Sequence, residues 1–409
     1  MRIILRNSRY HFLFLIILFL LLIVNINAKT PEDTKINPFY VDPATQDYSP
    51  NPELLERILS SPHGYFRSIN IIFSNHVCLR FEKLLVGAPS LNLHGDAHIE
   101  QYAVTDLGRG LTDFDDSSTG PAILDWMRFG VSLQLACREH GWEQNSNELF
   151  TKFLKGYRDA LNDPDIIAPE PVVVKRMQAK FTTDRVNYFK WVDSVMEPVP
   201  AQETDSLLIA IKPYVETMLA EQPDIKPDYF KVVKIGYLHM GIGSALDLKY
   251  LVRINGKSAD PFDDVVLEVK EVRDLSGIEC INTGQKIDPF RILLGQARIA
   301  YQPFHHLGYF YFRGLNFWVH SWVDNYKEVG IGKTFQSTEE LAEVVYDVGV
   351  QLGKGHVKHI ASPLDLQVRR KQLEILNRYE PEIKQVCVEF TKLIVNSWEE
   401  FKESFEKLR

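Results

Sequence analysis

The hydrophobic periodicity of the chain changes twice, and these changes restrict the fold more than any other feature. Before Pro227, apolar residues recur at helical spacing, most clearly over residues 121–140. Residues 229–270 instead show short apolar runs separated by glycine-containing turns, which is typical of strands. From residue 337 onward the spacing is helical again. The pattern predicts an α+β protein with helical portions and a small antiparallel sheet.

The N-terminus has the pattern of a secretory signal peptide, predicted over residues 1–28. Basic residues precede an apolar run, Phe12 to Val24, which is short for a membrane span and is followed by Ala28. An uncleaved membrane anchor is the alternative. In both cases we expect the rest of the chain to be exported, to the periplasm or out of the cell. Residues 29–50 are rich in Pro, Asp and Thr and are predicted to be a tether.

The remainder is long enough for two lobes, each with its own core. We expect a helical lobe over residues 51–225, a sheet-rich lobe over 226–325, and C-terminal helices over 326–409 that complete the helical lobe. The net charge of −8, without a long basic block, argues against nucleic-acid binding. The four cysteines permit two disulfides in three pairings, or buried free thiols.

Two short apolar segments each lead into an acid. The segments are Ser90 to His94, which leads into Gly95-Asp96, and Gly110 to Phe114, which carries Asp113, 17 positions after Asp96. We predict that the two segments are strands in a hairpin-like arrangement that places both acids side by side. Phosphoryl transfer needs such a pair, because one carboxylate accepts the proton of the attacking hydroxyl while another holds Mg²⁺. Aspartates near glycine are also typical of solvated turns.

A glycine-rich turn and a strand lysine form a second group. Gly241, Gly243 and Ser244 stand between two predicted strands, where glycines let backbone N–H groups approach phosphates. Lys270 lies inside an apolar strand, and an ammonium there needs a partner because its burial is costly. The lysine can pair with the same phosphates. The alternative is a strand-edge lysine with its head in water.

Further motifs stand in a fixed order around these two groups. They are Ser61-Pro62-His63-Gly64-Tyr65-Phe66-Arg67, Gly95-Asp96-Ala97-His98-Ile99-Glu100, Asp113-Phe114-Asp115-Asp116, Gly120-Pro121, Asp125-Trp126, Gly241-Ile242-Gly243-Ser244, Val269-Lys270-Glu271 and Gly295-Gln296. As an ordered set, from about residue 55 to 360, they resemble the bacterial family known as domain of unknown function 2252 (DUF2252). The first motifs of that family are in turn similar to the catalytic and metal-binding segments of aminoglycoside and choline kinases.

In that kinase superfamily the glycine loop and the lysine precede the His-Gly-Asp loop, and here the order is reversed. Residues 352–356 also resemble the helix that precedes the catalytic loop. The resemblance therefore implies a two-lobed protein-kinase-like fold that is circularly permuted, with the break between that helix and the catalytic strand. Permutation is physically reasonable where the joined ends are close together at the surface.

The resemblance also implies a role for each motif, with ATP and Mg²⁺ as cofactors. Asp125 would brace the catalytic loop, in which Asp96 would be the base. The candidate site residues are Asp96, His94 and Lys270 for catalysis, Gly241, Gly243, Ser244 and Lys270 for the nucleotide, and Asp113, Gln101 and Asp115 for the metal.

Three positions depart from the kinase pattern. Gln101 stands where an asparagine is usual, and Leu246 stands where a third loop glycine is usual. The predicted helix over residues 287–302 has no glutamate for Lys270, and Gln296 is the nearest polar substitute. These departures favour an alternative function, in which a kinase-like module binds a nucleotide or a partner without catalysis.

The leading prediction is a phosphotransferase that uses ATP and Mg²⁺ on an unknown small-molecule or protein acceptor, with another transfer from ATP, such as nucleotidylation, left open. The non-catalytic binding module is the first alternative. The second is a metal-dependent hydrolase in which the aspartates act with His94 or His98, with magnesium favoured over zinc. The acceptor is not readable from the residues.

Overall fold

The computed structural model describes residues 37–49, 51–239, 247–282, 284 and 286–408. The predicted signal peptide, the first part of the predicted tether and the glycine-rich turn with Gly241, Gly243, Ser244 and Leu246 lie outside these residues. Within them, no helix combines the length and the apolar character that crossing a membrane requires.

Four short helices open the described chain, where the sequence predicts helix over residues 52–85. The first two begin with proline and are capped by polar side chains: Asn51 Oδ1 accepts a hydrogen bond from the Leu54 amide, and Ser61 Oγ accepts one from the Gly64 amide. The extended backbone at Ser61 interrupts the predicted stretch. The helices are α1 (Pro52–Ser60), α2 (Pro62–Ser68), α3 (Asn70–Arg80) and α4 (Glu82–Leu85).

Two small antiparallel sheets carry the acid-bearing loops. They are β1 (Leu91–Leu93) paired with β4 (Ser118–Gly120), and β2 (Tyr102–Thr105) placed between β3 (Arg109–Leu111) and β10 (Tyr326–Glu328). The predicted hairpin of the two acid-bearing strands is therefore wrong, because β1 and β3 belong to different sheets. Their loops still meet, since His94 Nε2 lies 2.9 Å from the Thr112 carbonyl oxygen.

The long helices form the main core. They are α5 (Ile123–His140), α6 (Ser146–Asn162), α13 (Thr338–His356) and α14 (Leu364–Leu408). Helices α6 and α13 approach closely through glycines: a Cβ on Gly156 would lie 2.3 Å from the Tyr346 carbonyl oxygen, and one on Gly349 would lie 2.1 Å from that of Phe153. The predicted helix over 121–140 is confirmed as α5. Helix α14 continues across Pro381, whereas the sequence predicts two separate helices here, over residues 364–377 and 379–405.

A five-stranded antiparallel sheet has the order β5-β6-β7-β9-β8. Its strands are β5 (Val232–Tyr237), β6 (Lys249–Ile254), β7 (Val265–Glu271), β8 (Gly308–Phe312) and β9 (Leu315–Ser321). The remaining helices are α7 (Val172–Gln178), α8 (Arg185–Val195), α9 (Ala201–Ala210), α10 (Lys212–Glu221), α11 (Phe290–Ile299) and α12 (Ile331–Thr334). Mixed α+β architecture with small antiparallel sheets is thus confirmed.

One face of the five-stranded sheet is covered by α9 and α10. Leu207 and Tyr214 from these helices share a buried cluster with Tyr250 and Phe317 from the sheet. The predicted boundary at residue 225 assigns both helices to the helical lobe. Their apolar side chains instead pack on the sheet, so the packing groups them with the sheet.

The prediction for the N-terminal region is corrected, and the two alternatives left open for the cysteines are both present. Residue 39, inside the predicted tether, belongs to the core, because the fully buried Phe39 packs against Phe73 and Phe390. The cysteines combine both alternatives raised by the sequence. Cys78 and Cys280 form a disulfide, whereas two buried free thiols remain, those of Cys137 and Cys387.

Candidate functional site

Lys270 on β7 meets the acid loop that follows β3. Its Nζ atom lies 3.0 Å from Asp113 Oδ1 and 2.6 Å from Asp115 Oδ2. Asp113 has a positive φ of 57°, a conformation that costs free energy in a residue with a side chain and is often kept at functional sites. The structure therefore brings together a lysine and two acids that are more than 150 positions apart.

The two carboxylates compete for one ammonium. Burial opposes ionisation of Asp113, but the Lys270 ammonium and its hydrogen bond hold the pKa of Asp113 well below its usual range. Burial and the neighbouring Asp113 carboxylate instead raise the pKa of Asp115 to about 8. Burial disfavours the charged form of Lys270, yet the surrounding carboxylates raise its pKa. At neutral pH the cluster thus keeps Asp113 ionised, which a metal ligand requires.

Two arginines, the half-buried Arg273 and the buried Arg291, fix the acid loop from behind. Arg273 Nη1 donates to both carboxylate oxygens of Asp116 at 3.0 Å. Arg291 Nη1 donates to the carbonyl oxygens of Asp115 and Ser117 at 2.5 and 2.7 Å. With its backbone held in this way, the loop presents its acids from a rigid support.

The side chain of Asp115 is turned towards the sheet. It accepts a hydrogen bond from Trp318 Nε1 at 2.9 Å in addition to its ion pair with Lys270. Of the two predicted metal-binding aspartates, only Asp113 borders the neighbouring cleft. Asp115 supports Lys270 from inside.

Asp96, the predicted base, lies in a separate and more enclosed pair. Arg128 Nε donates to Asp96 Oδ1 at 2.7 Å, and Arg128 Nη1 donates to the Phe66 carbonyl oxygen at 3.0 Å. The guanidinium also lies 3.7 Å from the centre of the Phe66 ring. Burial, which outweighs the nearby guanidinium, raises the pKa of Asp96. His98 Nε2 lies 3.8 Å from the other oxygen of Asp96.

His94, the second predicted catalytic residue, is fully buried. Its Nε2 atom pairs with the Thr112 carbonyl oxygen at 2.9 Å, and its Nδ1 atom accepts a hydrogen bond from the Asp96 amide at 3.3 Å. Because both ring nitrogens serve the backbone, the geometry gives His94 the task of joining the two acid loops.

Asp125 braces the Asp96 loop, as the resemblance implies. Its two carboxylate oxygens accept hydrogen bonds from the His94 and Gly95 amides, both at 2.8 Å. His356 Nε2 supports it at 3.0 Å, and Tyr157 contacts the other His356 nitrogen at 2.8 Å. These contacts extend the support of the loop to α6 and α13.

Gln101 is the candidate second metal ligand. Its Nε2 atom donates to Asp113 Oδ2 at 3.3 Å, and its buried Oε1 atom has no hydrogen-bond partner. Rotation of the amide would present that oxygen to the same place, so Asp113 and Gln101 fit a magnesium ion that also takes water and phosphate oxygens. Among the described residues, no three His, Cys, Asp or Glu side chains are grouped to hold a metal.

A cleft with a volume of about 440 Å³ opens beside Lys270 and Asp113. Lys249, Glu268, Asp324 and Glu328 also border it, and aromatic side chains form most of the rest of its wall. The aromatic residues include Trp191 stacked on Trp322, and Phe304 and Trp318 stacked on either side of His320. Asp96 is not among the described residues that line this cleft. Gln296, the predicted partner of Lys270, borders a different small cavity beside Tyr301.

Three charged residues of this region were not predicted from the sequence: Arg128, Lys249 and Glu268. Each stands in an otherwise apolar run. A charged residue in such a run indicates a buried charge that needs a partner, and this is the signal by which the three could have been found. Glu268 is an example of a charge in an apolar strand that has such partners. Its Oε2 atom accepts a hydrogen bond from Trp322 Nε1 at 2.6 Å and lies 3.2 Å from His320 Nε2. Burial opposes ionisation, but Lys270 and His320 lower the pKa of Glu268 to about 2.

The chain belongs to the family described as "Uncharacterized protein conserved in bacteria (DUF2252)", whose model matches residues 52–181 and 173–404. No curated protein and no solved structure matches the chain.

Proposed function

We propose that this member of the family binds ATP with Mg²⁺ in the cleft and transfers a phosphoryl group to a small-molecule or protein acceptor. The observation that carries the proposal is the position of Lys270, which borders the cleft while paired with Asp113. In this arrangement the phosphates of a nucleotide would replace Asp113 as the partner of Lys270. Asp113 would then be released to hold Mg²⁺ with Gln101, and the ion, when bound, would neutralise charge on the phosphates.

We further propose that the fold is a circularly permuted, two-lobed kinase-like fold. The end of α13 lies beside β1, because Asn92 Nδ2 donates to the Gly355 carbonyl oxygen at 2.9 Å. In an unpermuted order these two elements would be consecutive. Their closeness supports a permutation with the break between this helix and this strand.

The geometry around Asp96 favours a second candidate, a kinase-like module that binds a nucleotide without catalysis. Asp96 is engaged by Arg128 and is only 6% exposed. A general base must come within hydrogen-bond reach of the acceptor hydroxyl, directly or through one water. Catalysis therefore requires the acceptor to enter beside Asp96, whereas binding alone does not.

Export remains part of the proposal. The disulfide between Cys78 and Cys280 supports it, since disulfides persist mainly in oxidising compartments. We hypothesise that the exported protein is delivered into another cell and meets ATP there. Localisation of the tagged full-length chain, with detection in the extracellular fraction or in a recipient cell, tests this part; retention in the producing cytoplasm would contradict it.

A nucleotide-binding and turnover experiment tests the function. We expect ATP with Mg²⁺ to raise the melting temperature of the full chain, because a ligand that binds only the native state stabilises it. Asp113→Asn should lose the Mg²⁺-dependent part of that rise. Asp96→Asn should keep the rise and lose ADP release. Asp224→Asn, a change at an exposed aspartate, is the matched control and should behave like the unmodified protein.

The possible outcomes separate the candidates. Nucleotide binding with turnover that depends on Asp96 supports phosphotransfer. Nucleotide binding without turnover, at any acceptor tried, supports the non-catalytic module. An absence of any effect of ATP and Mg²⁺ on the melting temperature would contradict both.

A further inference from the structure

Lys249 is the first residue of β6 and stands directly opposite Lys270 of β7 in the antiparallel register. The two lysines are only 4% and 7% exposed. Like charges opposite each other destabilise a pair of strands, and burial of each ammonium adds a further cost. The sheet therefore holds two ammonium groups close together at this position.

The same two lysines border the same cleft, together with the carboxylates of Asp113, Glu268, Asp324 and Glu328. Two of these carboxylates have partners besides the lysines, because Asp324 pairs with Arg185 at 2.5 Å and Glu268 lies 3.2 Å from His320 Nε2. Burial, with Lys270 as the next contribution, lowers the pKa of Lys249. An anionic ligand in the cleft would relieve the repulsion between the two ammonium groups.

The backbone leading into Lys249 is held in place. Asp247 accepts a hydrogen bond from Arg273 Nη2 at 2.9 Å, and Glu271 Oε2 accepts one from the Leu248 amide at 3.0 Å. Both contacts tie the start of β6 to the end of β7. Lys249 is thus presented from a rigid support next to Lys270, which is how binding groups with defined geometry are built.

We propose that Lys249 and Lys270 together form a two-cation site for a ligand with two or more linked phosphates. This inference rests on the proposed function and specifies the phosphate tail of the donor. Side chains opposite each other in an antiparallel pair start about 5 Å apart. A single phosphate would replace Asp113 as the partner of Lys270. A chain of linked phosphates would also reach from Lys270 to Lys249.

Inorganic tripolyphosphate and inorganic phosphate are the probes for this site, since they lack a nucleoside. Binding to the full chain is measured by thermal shift and calorimetry. We expect tripolyphosphate to bind more tightly than phosphate, and Lys249→Met to weaken tripolyphosphate binding by about tenfold or more, the effect of losing a charge-assisted hydrogen bond. Lys249→Arg keeps the charge and should retain most of the affinity. Lys234→Met, on β5 of the same sheet, is the matched control.

The outcomes distinguish this inference from phosphotransfer itself. If the Lys249→Met and Lys234→Met proteins bind tripolyphosphate equally, the two-cation site is refuted, even where ATP is turned over. If tripolyphosphate binding depends on Lys249 but ATP is never turned over, the site stands and phosphotransfer fails. If neither probe binds the unmodified chain, the two-cation site is refuted. Circular dichroism of each variant establishes that it is folded before binding is measured.

Discussion

The Asp96–Arg128 pair and the Asp113–Lys270 pair join an acid to a base in very different surroundings. We call them the closed pair and the open pair. The side chains of the closed pair are 8% and 1% exposed, and those of the open pair are 32% and 9% exposed. The closed pair forms within the helical part of the chain, whereas the open pair joins a loop to the five-stranded sheet beside a cleft.

The difference shows that similar ion pairs can have different uses. Removing one partner of an enclosed pair leaves a charge that water solvates poorly, so such a pair stabilises one arrangement. In the open pair the carboxylate is accessible, and water or a ligand can take the place of its partner. We therefore expect the closed pair to contribute mainly to the structure of the Asp96 loop, whereas the open pair is where the proposed function places ligand exchange.

The largest effect on stability is expected at the closed pair. Arg128→Met removes the partner of Asp96 and the hydrogen bond to the Phe66 carbonyl, and should lower the free energy of unfolding by about 3–5 kcal/mol. Urea unfolding followed by tryptophan fluorescence measures the change. Combining it with Asp96→Asn should recover part of the loss, because the uncompensated charge is then gone. A loss below about 1 kcal/mol, the range of surface pairs, would contradict the distinction.

The second-largest effect is expected at Glu100, whose ionisation should make the stability of the protein depend on pH. Burial opposes ionisation of Glu100, but His63 and Arg67 lower its pKa to about 2 from 4.5. A lowered folded-state pKa stabilises the protein above pH 4.5, and this stabilisation is lost as the pH falls towards 2. The shift corresponds to a contribution on the order of 3 kcal/mol at neutral pH.

Glu100→Gln should therefore reduce stability at pH 6 and have progressively less effect between pH 4.5 and 2. Glu374→Gln, at a side chain that is 71% exposed, provides the comparison. Unfolding free energies measured across this pH range test the expectation. An effect of Glu100→Gln that stays constant with pH would show that ionisation of Glu100 is not its cause.

The smallest change in stability is expected at the open pair. Lys270→Met should lower the free energy of unfolding by about 1–2 kcal/mol, since water from the cleft can solvate the partly exposed carboxylate of Asp113. The same urea measurement applies, at neutral pH. A loss as large as that of Arg128→Met would mean that exposure does not distinguish the two pairs.

Local sequence patterns predicted part of this arrangement. The apolar spacing of α5 and the position of Asp125 at its start were readable, because helix periodicity and strand ends are local features. The approach of Lys270 to Asp113 is not readable from spacing, and only the roles that the resemblance implies, one for phosphate and one for metal, point to a shared site. The predicted roles of these residues in binding and catalysis remain predictions.

Strand pairing could not be predicted in the same way. Strands β1, β3 and β4 have three residues each, too few to show an alternation, and β10 joins β2 from a distant part of the chain. The partner of Asp96 was missed for a related reason. Arg128 is a single charge on an apolar helix, and only the tertiary structure shows which acid it meets.

The bond between Cys78 and Cys280 has a practical consequence, because 202 positions separate its ends. Exposed loops are the usual points of attack by proteases. A single cleavage anywhere between these two cysteines leaves both pieces covalently attached, so the nicked chain migrates as one species until a reductant is added. Limited digestion of this protein should accordingly be analysed on gels run with and without reducing agent.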